Sequence, residues 1–148
     1  MFKNRVIIGV AVAGAILLLG GCGEYEKLLK SRDFQAKYDA ALNYYEDGDF
    51  ARAVTLFDQV ANIFRGTTKA DTVKYYQAKA YYGQRDYMMA GYYFSELSST
   101  YASSVFLEEA DFMTAYCFYK RSPRAELDQE TTYQAITYMQ MFMAKYPT

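Results

Sequence analysis

At 148 residues, with 16 Lys and Arg against 17 Asp and Glu, the chain has room for one compact domain and no basic excess for neutralising nucleic-acid phosphates. Histidine and tryptophan are absent while Tyr (17) and Phe (10) are abundant, a balance that suits packing and contact surfaces more than proton chemistry. Two cysteines, Cys22 and Cys117, cannot build a disulfide framework.

Lys3 and Arg5 precede an uncharged run from Val6 to Gly21, the layout of a secretory leader. A membrane span needs about 20 apolar residues. This run closes sooner, on Gly20, Gly21 and Cys22, before the charged Glu24 and Glu26. Leu19-Gly20-Gly21-Cys22 resembles the bacterial lipobox. The resemblance implies cleavage before Cys22, diacylation of its thiol and acylation of the new amino group, with palmitate among the chains. Residues 1–21 are then a cleaved signal peptide, 22–33 a lipidated tether and 34–148 the folded part. Each buried methylene contributes roughly 0.8 kcal/mol, so two or more acyl chains anchor stably. Cleavage removes two of the 16 basic residues and no acidic one, which leaves a net charge of about −3. The expected membrane contact is therefore the lipid and not an electrostatic patch. Gly23 stands where many lipoproteins retained at the inner membrane carry Asp, which by the same resemblance points to the outer membrane, at its periplasmic face.

Beyond the tether the sequence repeats. Ala41-Leu42-Asn43-Tyr44-Tyr45 returns as Ala78-Lys79-Ala80-Tyr81-Tyr82 and as Ala115-Tyr116-Cys117-Phe118-Tyr119, each copy displaced by 37 residues. Tyr38, Tyr75 and Phe112 keep the same register, as do Gly48-Asp49-Phe50 and Arg85-Asp86-Tyr87. Within a copy the apolar spacing is helical on two segments, for example Tyr38, Ala41, Leu42, Tyr45 and then Phe50, Ala53, Val54, Phe57, Val60. Gly48 suits the left-handed end of the first helix, Asp49 the N-cap of the second, and Thr68 with Asp71 a capping box opening the second unit. The units are placed at about 34–64, 70–101 and 105–148. Ala41, Ala53, Ala78, Ala90 and Ala115 are expected where helices approach closely. One pair cannot bury both its stripes, so an all-α solenoid of about three stacked pairs is predicted.

Ala41, Tyr44, Gly48-Asp49-Phe50, Ala53 and Phe57 resemble the tetratricopeptide repeat. The copies depart from that family in length, 37 residues against 34, and the third carries an insert at Ser122 to Gln129, since Ala115 to Ala135 spans 20 residues where Ala41 to Ala53 spans 12. Lipobox, tether and repeats, with Ser122-Pro123, Leu127-Asp128-Gln129, Ala135-Ile136 and Tyr146-Pro147, look like the BamD family of β-barrel assembly lipoproteins, in a form similar to those of Bacteroidetes. Members of that family carry about five repeats, so the resemblance extends to their N-terminal portion.

This resemblance implies a non-catalytic scaffold whose partners are a BamA-like barrel subunit and unfolded outer membrane proteins awaiting insertion. In repeats of this type the concave groove is lined from the first helix of each unit. Here those positions are Tyr38, Leu42 and Tyr45, then Tyr75, Lys79 and Tyr82, then Phe112, Tyr116 and Tyr119. Tyrosine offers large contact area with a hydroxyl for backbone amides, which suits a peptide segment. The plainer reading makes some of these rings inter-helix packing. Cys117 is expected to be a small, partly buried filler, and the pairs Asp47 with Asp49 and Glu108 with Glu109 are expected in a turn and at a solvated helix start. With no His, nucleophile elbow, phosphate loop or metal-ligand spacing, neither an enzyme nor a cofactor is expected beyond the lipid on Cys22. Two alternatives are a surface glycan-binding lipoprotein similar to the SusD family, disfavoured by length and by the absence of Trp, and a regulator of envelope enzymes.

Overall fold

The computed structural model describes residues 23–147; Cys22 and the leader at 1–21 lie outside the described residues. A helical stretch over residues 23–30 is followed by three helix pairs. They are α1 (Phe34–Glu46) with α2 (Phe50–Ala61), α3 (Ala70–Gly83) with α4 (Tyr87–Thr100), and α5 (Leu107–Arg121) with α6 (Glu130–Lys145). Each helix packs on its successor and α1 also touches α3, which makes the chain an all-α solenoid of tetratricopeptide-like units.

Turn chemistry repeats with the sequence. Gly48 (φ 78°) ends α1 in the left-handed region, and Arg85 (φ 64°) does the same 37 residues later at the end of α3. In both turns the next residue donates its N–H backwards, Asp49 to the Tyr44 carbonyl (2.8 Å) and Asp86 to that of Tyr81 (3.0 Å). The same two aspartates then cap the following helices, Asp49 accepting from the Arg52 N–H (3.3 Å) and Asp86 from that of Met89 (3.0 Å). Asp33 caps α1 in the same way through the Ala36 N–H, 2.9 Å.

The capping box expected from Thr68 and Asp71 does not form. α3 begins at Ala70, one residue too late for Thr68 to cap it, and its N-cap Lys69 makes no side-chain cap bond. Thr67 instead accepts the Lys69 N–H (3.2 Å), while Asp71 accepts the Ser104 hydroxyl (2.7 Å) and so ties the second unit to the loop before the third.

Ala41, Ala53, Ala78, Ala90 and Ala115 are all fully buried, at the crossings where a larger side chain would hold the helices apart. Beside them Phe57 and Phe94, equivalent residues of α2 and α4, fill the two core clusters with no exposed surface. Burial of such a ring contributes about 1.5–3 kcal/mol. Gly91 lets α5 come close, since a Cβ there would stand 3.1 Å from that of Cys117. Cys117 is buried as a filler, and burial pushes its thiol up to about 12.

The segment read as a tether is not a free link over its described length. Tyr25, Leu28 and Leu29, spaced on one helical face, pack against the core of the first unit.

Candidate aromatic groove

The nine residues expected to line a groove divide by depth. Tyr38 and Tyr75 are only 7% and 8% exposed and belong to the core. Phe57 (6.5 Å) and Phe64 (5.5 Å) enclose the Tyr38 ring, whereas Tyr75 stacks on Phe106 at 4.1 Å and meets the edge of Phe94 at 6.3 Å. Phe64 and Phe106 lie in the loops between units, which fold over the tyrosines and remove them from the surface. Tyr75 still uses its hydroxyl, donating to Glu109 at 2.7 Å. Burial first, and then this bond to a carboxylate, push its phenol far above the ordinary range.

Lys79 is likewise committed within the protein. Its ammonium pairs with Glu109 at 2.9 Å and lies 5.6 Å from the Tyr75 ring. Glu109 is therefore a bridge between the second and third units, where the sequence suggested a solvated helix start. Burial alone would raise its carboxyl, but the bonds from Tyr75 and Lys79 outweigh burial and hold it below the usual value.

Leu42, Tyr45 and Tyr82 are half-buried. Tyr45 packs against Phe50 (5.7 Å) and against Tyr76 of the next unit (5.4 Å), and Tyr82 against Tyr87 (5.3 Å). From Tyr82 the rings run outward to Tyr116 at 6.3 Å. Phe112 stacks on Tyr116 (5.8 Å) and Tyr116 on Tyr119 (5.7 Å), along one face of α5. Phe112 and Tyr119 are 37% and 61% exposed. Among the described residues the most exposed part of the expected groove therefore lies in the third unit.

There the insert completes a concave site. A cavity of about 610 Å³ opens between α5, the insert and α6, with Phe112, Tyr116 and Tyr119 on one wall and Pro123, Ile136 and Met139 among those opposite. Local chemistry holds the insert open. Ser122 is extended (ψ 125°), as the residue before a proline prefers, so α5 stops at Arg121. Gln129 then donates its amide to the carbonyls of Arg124 and Leu127, both at 2.8 Å, and accepts from Thr132 at 2.9 Å, which staples the loop to the start of α6. The Leu127-Asp128-Gln129 segment marked the insert in the sequence, but no periodicity could have exposed this staple.

A second cavity of similar size lies between α4, α5 and α6 and is lined in part by Ser95, Ser98, Asp111 and Lys145. Its charges are already spent on one another: Asp111 accepts from Lys145 (2.7 Å) and Tyr146 (2.8 Å). The aromatic site, by contrast, keeps exposed ring surface on Phe112 and Tyr119.

Residues 31–148 match the YfiO family of outer membrane lipoproteins. The chain belongs to that family. It is also 28% identical, over 81% of its length, to a protein of Aquifex aeolicus (strain VF5) described as a putative outer membrane protein assembly factor BamD. The chain spans about 40% of the length of that relative. The YfiO match begins at residue 31, so it takes in all three helix pairs, the insert and every residue of the aromatic strip. Among the described residues no helix is long and apolar enough to cross a membrane, and no group of His, Cys, Asp and Glu could hold a metal ion.

Proposed function

We propose that the chain is a non-catalytic scaffold of outer membrane protein assembly. Lipid on Cys22 holds it at the periplasmic face of the outer membrane, where it offers the groove of its third unit to unfolded outer membrane proteins and to a BamA-like partner subunit. The observation that carries the reading is the strip Phe112, Tyr116 and Tyr119 facing the apolar cavity that the insert creates. Stacked rings with exposed edges bury large area at little cost in entropy, and the hydroxyls of Tyr116 and Tyr119 serve the backbone of an extended segment. Membership of the YfiO family and the likeness to an assembly factor support the same reading.

The test is the double substitution Tyr116→Ala with Tyr119→Ala, read by the affinity for an outer membrane protein peptide and the denaturation midpoint of the same preparation. Anchor rings of this kind cost about 2 kcal/mol or more when truncated, roughly thirtyfold in affinity. Unchanged affinity in a folded variant would remove the groove from the proposal.

A further inference from the structure

The eight described helical residues at 23–30 lie where a flexible link to the lipid was expected. After cleavage before Cys22 at most nine residues, 22–30, are left for this helix, too few to be stable by themselves in water, so its form in the mature chain comes from what it touches. Tyr25 meets Tyr44 edge-on at 5.6 Å, and the Arg52 guanidinium of α2 lies 5.2 Å and 5.5 Å from the two rings. Leu28 and Leu29 rest on the core of the first unit. The opposite face carries Glu24, Glu26, Lys27 and Lys30, all exposed, whose charges cancel. That face gives anionic lipid no hold.

Lys37 secures the far end. It is 4% exposed, yet its ammonium donates to the Leu29 carbonyl at 2.9 Å and to the Gln59 amide oxygen at 2.7 Å. One buried side chain of α1 thus joins the last turn of the stretch to α2. A buried ammonium is costly unless its bonds are satisfied. The chain between is taut: Ser31 donates its N–H to the Leu28 carbonyl (3.0 Å), and Asp33 donates to the Ser31 hydroxyl (2.9 Å) just before α1 begins.

We infer that residues 23–30 are a capping helix, pinned to the first unit by Lys37 and Tyr25, that fixes how the solenoid stands on its lipid anchor. The inference rests on Cys22 being the point of attachment. An extended tether of residues 22–33 would let the body roam about 40 Å, whereas three residues from Cys22 to a docked Tyr25 reach at most about 11 Å. The first unit is then the membrane-proximal end, and the aromatic site of the third unit stands away from the bilayer.

The experiment uses the full lipidated chain in vesicles of phosphatidylethanolamine and phosphatidylglycerol carrying a headgroup acceptor dye. Donor dyes are placed through Thr55→Cys in the first unit or Gln140→Cys in the third, both exposed positions. Energy transfer should be stronger from the first unit, and Lys37→Met with Tyr25→Ala should abolish the difference while flotation and helical circular dichroism persist. Equal transfer from both sites in the parent, or a difference that survives the double variant, overturns the inference. Amide exchange on the soluble Cys22→Ser protein reads docking without the anchor. Protection at residues 28–30 should fall about tenfold or more in the double variant. Absence of that protection in the parent overturns the capping helix itself, and a parent chain that fails to float overturns the attachment on which the orientation depends.

Discussion

Tyr38, Tyr75 and Phe112 hold one register in three successive units, yet two are sealed in the core and the third is 37% exposed. The difference is in their neighbours. Phe64 and Phe106 fold over the first two from the inter-unit loops, while Phe112 has the ring of Phe142 at its edge, 5.5 Å away, and keeps a face toward the cavity. Tyr45 and Tyr82, against Tyr119, repeat the lesson two turns further along the helix. A place in the repeat fixes which way a side chain points, and the segment that crosses it decides whether it is buried or stays exposed.

The comparison breaks most visibly in stability. Phe94→Ala should cost about 3–5 kcal/mol, as for other fully buried rings, whereas Tyr119→Ala should stay within about 0.5 kcal/mol; urea midpoints at constant slope would check both. Comparable losses would mean that Tyr119 is a core residue and the strip is not a free surface. Next in size, Ala90→Leu should cost about 1–3 kcal/mol by overpacking a helix crossing, and Ala125→Leu in the exposed insert should cost little. Equal melting temperatures for these two would undo the assignment of crossings.

Smaller effects test the turns. Gly48→Ala forces a Cβ into the left-handed region and should lose about 1 kcal/mol, while Arg85→Gly relieves that strain and should gain up to about 1 kcal/mol. Thermal unfolding of both variants would show opposite shifts if the two turns are equivalent. The smallest effect concerns the joint made by Glu109. A carboxyl held below its ordinary value adds stability above that value and loses it as pH falls through the folded-state value. The stability advantage of the parent over Glu109→Gln should therefore be present at pH 7 and shrink on acidification below the glutamate range near about 4.3, read as the difference in urea midpoint.

The repeat itself was legible because its markers are short-range and chemically specific. Gly48-Asp49 and Arg85-Asp86 announce turns, and the five alanines announce crossings. Coverage was not legible, since it depends on where Phe64 and Phe106 come to rest after the helices have packed. Lys79 looked like a groove residue because its partner Glu109 lies 30 residues away on another unit. Thr68 was misplaced by a shift of a single residue in the start of α3. The docked stretch at 23–30 escaped notice because three apolar residues in eight are too few to stand out as a helix.

Helix packing runs almost wholly from each element to the next along the chain. Topologies with such low contact order fold in microseconds to milliseconds, because little chain must be looped before a contact forms. A chain is made from its N-terminus, so the first pair can assemble before the third is available. Each finished pair is then a template for its successor, and the aromatic site cannot form until the third pair has packed on the second.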